Sequence, residues 1–211
     1  AAGFRGVMLA NEVLDAMSVE RFRWDGDTAA LFHVRSEDDG FAWQLQAGES
    51  SVVTACIEDC VSNSKLPAGY VSEFNTSLQP WMQTVAECME QGFVLLIDYG
   101  YPQHEFFHPQ RSSGTLMCHY RQHAHADPLL WPGLQDITAH VNFTAVAEAA
   151  VTAGLEVAGY TTQAYFLLDC GLEDLLLQSG PTASMDYLQA AQQVKTLVLP
   201  GEMGERFKCI G

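Results

Sequence analysis

The sequence predicts an α/β fold, a sheet containing parallel strands with a small antiparallel β unit inserted near its start. Three observations point there. Two runs of strand length, FRGVMLA at 4–10 and FVLLID at 93–98, are apolar in continuity rather than in alternation, as strands covered on both faces are. A helical pattern over 76–91 leads into the second run, and a parallel crossover needs such a helix. Between them Val19–Trp24, Thr28–Arg35 and Phe41–Gln46 are alternating or β-rich, divided by Asp25-Gly26-Asp27 and Glu37-Asp38-Asp39-Gly40. Those dividers are hairpin signals.

Taken in order, the first run stops at Asn11-Glu12, and the polar turn behind it holds Asp15. After the β unit, Val52, Val53, Cys56, Ile57, Cys60 and Val61 recur at helical spacing and predict a helix over 50–63, with Cys56 and Cys60 buried on one face. Thr76 or Ser77 is the expected cap of the 76–91 helix, Pro80 falls in its first turn, and Gly92 closes it. Residues 101–140 are polar, aromatic and rich in His, Pro and Gly. A loop that long is functional or locally structured. Asn142 caps a helix from Phe143 to about Ala153, ended by Gly154. A strand at 155–162, helices over about 164–178 and 184–197, and a strand at Arg206–Ile210 complete the chain. The count is roughly four sheet strands plus a three-stranded insert, without repeats.

The 211 residues are 48% apolar, which suits one globular domain with a real core. Twenty-six acidic against ten basic residues give a net charge of −16. That charge repels phosphate backbones, so no nucleic-acid partner is expected, and it attracts basic peptides or a cationic cofactor. No apolar run approaches membrane-spanning length. The six cysteines form no CxxC pair and are irregularly spaced, which fits a reducing compartment. The chain opens on Ala1-Ala2-Gly3 without an initiator Met, the expectation for a processed, trimmed or partial chain.

Two strands end in acids, Asn11-Glu12 followed by Asp15, and Asp98-Tyr99-Gly100. Ligands of open α/β sheets sit beyond the carboxyl ends of strands, and an unpaired buried carboxylate is costly. Glu12, Asp15 and Asp98 are therefore candidate catalytic acids; the alternative is that Glu12 and Asp98 cap following helices. A second constellation, Asp136, Thr138 and His140, lies within Gly133–Phe143. Its alternative is an Asp-Thr turn beside a hydrogen-bonded structural histidine. His119 and His123, at i and i+4, would ligate a metal if helical. With Asp136 and Asp98 that would give a metal-dependent hydrolase. HExxH and Cys/His clusters are absent, and no metal is expected.

The stretches ANEVLDAMSVERF (10–22), GFVLLIDYGYP (92–102), HPQRSSGTLMCHYRQH (108–123), PGLQDITAHVNFTAV (132–146), TTQAYFLLDCGL (161–172) and PGEMGERFKCIG (200–211) resemble the MidA family of S-adenosylmethionine-dependent methyltransferases. Its mitochondrial relative is an arginine methyltransferase that assists respiratory complex I assembly. Ser18 stands where the family usually has Pro, and Asn142 where it has Asp. The resemblance implies that residues 1–211 are the C-terminal part of a Rossmann-like class I methyltransferase sheet. Residues 4–10 match the family's fourth strand, about 18–46 the inserted β unit, and about 101–140 a substrate-side loop region. The family's acid-Gly-x-Gly-x-Gly loop has no counterpart among the 17 glycines. Weak cofactor binding, and little activity from this chain alone, are the expectation.

The implied cofactor is S-adenosyl-L-methionine, met by Ala10, Asn11 and Glu12, and the implied acceptor is an arginine of a protein, with a complex I subunit as one candidate. Glu12 would clamp the guanidinium first, with Asp15 or Asp98 as the second carboxylate. Asn11 would bond the acceptor or the methionyl end of the cofactor. Tyr99, Arg111 and Thr138 would contact substrate. Asp136 and His140 would form the far wall, His140 as a proton acceptor. The resemblance places the protein in a bacterial cytoplasm or a mitochondrial matrix. An open apolar edge at Val7–Ala10 makes a homodimer the expected assembly. A rival reading is a non-catalytic acidic module that binds a basic protein.

Overall fold

The structure, a computed structural model, describes residues 3–46 and 51–211. Strand β1 (Phe4–Asn11) comes first, then the antiparallel β2 (Glu20–Trp24), β3 (Ala29–Glu37) and β4 (Gly40–Gln46). Helix α1 (Val52–Val61) follows, opened by a capping box in which Ser51 Oγ accepts from the Thr54 amide at 3.1 Å. The expected start of this helix at 50 lies outside the described residues. Strand β5 (Tyr70–Phe74) leads to α2 (Leu78–Cys88) and the thirteen-residue β6 (Met89–Tyr101). Next come α3 (Gln103–Phe106), a single 3-10 turn at Pro109–Arg111, and short strands β7 (Met117–Tyr120), β8 (His123–His125), β9 (Asp136–Thr138) and β10 (Val141–Asn142). Helix α4 (Phe143–Thr152), strand β11 (Tyr160–Thr162), helices α5 (Gln163–Asp169), α6 (Leu172–Gln178), α7 (Met185–Val198) and α8 (Met203–Arg206), and strand β12 (Phe207–Ile210) end the chain.

The two apolar runs lie side by side. β1 pairs with β6 in parallel, Val7 opposite Phe93 through Ala10 opposite Leu96, and the main sheet runs β1-β6-β12-β11, with β10 also on β6. β12 is antiparallel to both neighbours. A second sheet, β4-β3-β2-β5, holds the expected insert plus one strand more. β7, β8 and β9 form a third small sheet inside the segment expected as a loop. Arg121 and Gln122, both at positive φ, make the β7–β8 turn. Helices α2 and α4 pack on the main sheet through Leu78, Met82, Val146 and Ala149 against Leu96. Burial of each of the larger side chains, Leu78, Met82, Val146 and Leu96, contributes about 1.5–3 kcal/mol.

Several elements differ from expectation for identifiable reasons. Helix α2 stops at Cys88 because β6 already begins at Met89. Gly92 is therefore no cap; a Cβ there would meet Gly6 O at 1.9 Å, so it serves the close approach of β1. Ser77 makes no capping bond. The expected 164–178 helix breaks at Gly171, whose φ is 86°. The 155–162 strand shrinks to its last three residues, those that reach β12. Cys56 is exposed and Cys60 only half-buried. β1 is not a covered strand, since at the sheet edge Val7 and Leu9 are 66% and 65% exposed.

Candidate functional site

β1 and β6 run parallel and end at the same rim. β10 closes on β6 there because residue 100 is glycine; a Cβ on it would meet Val141 O at 2.1 Å. This carries Thr138, Ala139 and His140 against the ends of both strands. Asp98 is buried just inside the rim. Its Oδ2 accepts from the Leu14 and Asp15 amides at 2.9 and 3.2 Å, and its Oδ1 from the Tyr99 amide at 2.9 Å. Asp98 thus holds the turn after β1 rather than capping a helix. Burial, and next to it the charge of Asp15, push its carboxyl up to about 6.

Asp15 is also buried, and its Oδ1 has no partner among the described residues. Its carbonyl accepts from the Ala139 amide at 3.0 Å, which ties the second constellation to the first. The Asp15 carboxyl and the Thr138 side chain lie close enough to the Tyr99 hydroxyl to bear on its titration. Burial first, and then that carboxylate, push the Tyr99 phenol up, so it stays a hydrogen-bond donor. Asp98 is thus a bracket with both oxygens used, and Asp15 beside it keeps one buried oxygen without a partner among the described residues.

A second buried acid completes the wall. Glu73, on β5, is 3% exposed. Its Oε2 accepts from the Thr115 amide and hydroxyl at 2.8 and 2.9 Å, and Thr115 Oγ1 accepts from the His140 amide at 3.1 Å. Burial pushes the Glu73 carboxyl up. Its Oε1 lacks a partner among the described residues. Gly114, at φ +85°, leaves room for that oxygen, since a Cβ there would stand 2.1 Å from it. His140 sits edge-on between Tyr99 and Tyr101, each ring centroid 5.4 Å away. Burial, reinforced by Arg111, Arg206 and Lys208, lowers its pKa to about 4. The imidazole is neutral at ordinary pH and a weak base, better placed to accept a hydrogen bond than to take a proton. Its Nδ1 is unpartnered among the described residues.

The expected site residues divide accordingly. Asp15, Asp98, Tyr99, Thr138 and His140 come together. Ala10, Asn11 and Glu12 lie at the carboxyl end of β1, where Asn11 Nδ2 donates to Glu12 Oε1 at 3.2 Å. Glu12 is exposed at φ 51°, a conformation uncommon outside glycine and frequent at functional sites. Asp136 is exposed at the start of β9, so the expected pairing with His140 in one wall reduces to His140 and Thr138. Arg111 is engaged within the protein. Its guanidinium lies 4.0 Å from the Tyr101 ring centroid and donates to the carbonyls of Glu105 and Phe106. His119 and His123 fall on the two strands of a hairpin, not on a helix face. No three His, Cys, Asp or Glu groups converge on a metal position among the described residues. The sequence reading missed Glu73 and Thr115. The signal was YVSEF, an acid in a β-rich run.

Beside this wall lies a cavity of about 580 Å³, bounded by Leu14, Glu73, Gln103, His140 and Asn142 and by α1 and α4.

Residues 1–161 match the family described as "Putative S-adenosyl-L-methionine-dependent methyltransferase". The mitochondrial protein arginine methyltransferase NDUFAF7 homologue of Caenorhabditis elegans is 27% identical over 210 residues, 96% of this chain and 46% of that protein. The Drosophila melanogaster homologue is 29% identical over 217 residues, with the same coverage. A Burkholderia thailandensis protein described as a "COG1565 superfamily member and likely methyl transferase", solved with S-adenosyl-homocysteine bound, superposes with a TM-score of 0.91 at 41% identity. The match covers 99% of this chain and 53% of that one. A native crystal structure from the same organism gives the same TM-score and identity over 55% of its chain. This chain spans about half the length of the relatives it matches.

Proposed function

Because this chain belongs to the MidA-type family of S-adenosylmethionine-dependent methyltransferases, we propose that its carboxyl-end rim forms the acceptor side of a site that methylates an arginine of a protein substrate. The observation that carries this reading is the Asp15–Asp98–Tyr99 nest at the ends of two parallel strands, with one buried carboxylate oxygen unpartnered. The names of the fly and worm relatives supply arginine as the acceptor.

The cofactor fits one side of this rim. Asn11 and the left-handed Glu12 present an exposed backbone and polar side chains at the end of β1, the position where open α/β sheets take ligands. The 211 residues carry no glycine-rich phosphate-type loop, so Ala10, Asn11 and Glu12 would hold it from one face. When bound, S-adenosylmethionine supplies an electrophilic methyl group.

This chain's residues do the rest by charge and position. Arginine is cationic at any ordinary pH. Glu12 and Asp15 gather that charge toward one edge of the guanidinium, which leaves a nitrogen at the other edge free to attack. Asp98 fixes the Asp15 backbone. Tyr99 and Thr138 stand beside the Asp15 carboxylate. The Tyr99, Tyr101 and His140 rings exclude water from the acceptor nitrogen, and most of the acceleration comes from positioning.

The test uses a polypeptide of the relatives' length and an arginyl peptide, with methylation read by mass spectrometry. Glu12→Ala should remove methyl transfer while S-adenosylhomocysteine affinity falls only a few-fold, because Ala10 and Asn11 still meet the cofactor. Full activity in that variant contradicts the assignment.

A further inference from the structure

We propose that a second cavity, formed by β2, β3 and β4 with β9, receives an acidic side chain of the protein substrate, and that Arg21 binds its carboxylate. The inference rests on the protein-substrate reading above and adds a specificity determinant beside the acceptor.

Strand alternation puts Arg21 there. Phe22 and Leu31, paired across β2 and β3, pack into the core with Ile57 and Val61 of α1. Neighbouring side chains of a strand point to opposite faces, so Arg21 and Phe32 turn away from that core. On their side lies a cavity of about 550 Å³, and Arg21 is the one Lys or Arg among its described lining residues. The Arg21 guanidinium lies over the Phe32 and Trp43 rings, 5.2 and 5.1 Å from their centroids, and the two rings meet edge to face at 6.0 Å. It makes no ion pair or hydrogen bond among the described residues. Nε is its buried nitrogen; the Nη pair is the edge left for a ligand. Two acids are near in the chain or the sheet. Glu20 lines the cavity but forms no ion pair with Arg21. Glu73, opposite Arg21 on β5, gives its Oε2 to Thr115. Burial opposes the Glu73 charge more strongly than Arg21 favours it, so Glu73 offsets the guanidinium only in part.

The chemistry narrows the ligand. Rings stacked on a guanidinium cover its face and leave its N–H donors, which radiate in the plane, for a planar acceptor. A carboxylate matches that fork with two parallel hydrogen bonds. Val19, Val34, Leu116, Leu129 and Ile137 make the rest of the lining largely apolar. That suits the methylenes of an aspartate or glutamate better than a free inorganic anion. A single cation in a chain of net charge −16 also favours one negative charge over two. Thr138 and Ala139 belong to this cavity and to the rim alike. An acid received here therefore stands a few residues of extended chain from an arginine at the rim, at about 3.3–3.6 Å per residue.

The test titrates the chain with capped arginyl peptides in matched pairs, Glu against Gln, at each position up to about four residues either side of the arginine. Affinity is read from the Trp43 indole N–H resonance. At least one Glu peptide should bind about fivefold tighter or more than its Gln twin, and the same pair with citrulline in place of arginine should keep that preference. Arg21→Gln should abolish it while circular dichroism stays unchanged. If that variant does not fold, Val34→Glu, at a lining position 51% exposed, supplies a competing carboxylate and should abolish it too. Equal binding in every pair, or a preference that survives these variants, overturns the site. Glu preference without methyl transfer in the longer polypeptide would sink the reaction and keep the site. Methyl transfer with equal KM for both members of every pair would do the reverse.

Discussion

Asp98 and Glu73 are both buried carboxylates that burial pushes toward protonation, yet they keep different company. Asp98 spends both oxygens on three backbone amides, those of Leu14, Asp15 and Tyr99. Glu73 spends one oxygen on Thr115 and keeps the other unpaired. The first arrangement is a bracket for the turn after β1. The second leaves a buried acceptor unmade. Both acids lie within strands, Asp98 near the end of β6 and Glu73 one residue from the end of β5, so position along a strand does not by itself separate the two arrangements.

The contrast breaks most visibly at Asp98. Asp98→Ala strands three buried or half-buried amides, and thermal or denaturant unfolding should register a loss of about 3–5 kcal/mol. Glu73→Gln should cost under about 1 kcal/mol by the same measurement, because its amide oxygen still accepts from Thr115. Equal losses would erase the distinction between bracket and open acceptor.

Much of this was legible in sequence. The unbroken apolar character of Val7–Ala10 and Phe93–Ile97 announced two parallel neighbours, and the Asn142 side chain does cap α4, accepting from the Thr144 and Ala145 amides at 3.2 and 3.3 Å. Asp15, Asp98, Tyr99, Thr138 and His140 were singled out and do meet. Glu73 was not, because its role depends on β5 joining β2 across a long sequence gap, with Glu73 opposite Arg21. Local periodicity carries no record of that pairing. The small β7–β8–β9 sheet was hidden for a similar reason, its strands being three or four residues long. Arg111 looked like a substrate ligand because nothing local reveals that the Glu105 and Phe106 carbonyls engage it.

His140 gives a smaller, pH-dependent effect. Its folded pKa of about 4 lies below the ordinary imidazole value of 6.5, so its stabilising share is complete above 6.5 and lost as pH falls toward 4. Asp98 runs oppositely, its share being complete below the ordinary carboxyl value of 3.8 and lost as pH rises through about 6. His140→Asn should therefore narrow its stability gap to the parent by about 1–2 kcal/mol between pH 7 and pH 4, allowing for solvent screening. Unfolding titrations across that range measure it, and a constant gap would show that the ring is not held neutral by its burial.

The smallest energetic effect is expected at the sheet edge. Val7 and Leu9 are exposed on β1, whose outer side pairs with no other strand among the described residues. We expect self-association through this edge. Leu9→Lys should suppress it in light scattering across a concentration series and change stability by less than about 0.5 kcal/mol. A parent chain that stays monomeric throughout the series would contradict the edge argument.

The most direct test of the rim is backbone-amide NMR of this chain titrated with millimolar S-adenosylhomocysteine, a concentration that tolerates weak binding. Shifts should concentrate at Asn11, Glu12 and Tyr99, the amides at the carboxyl ends of β1 and β6. Shifts centred on the β7–β8 hairpin instead, or none at saturation of the ligand's solubility, would contradict it.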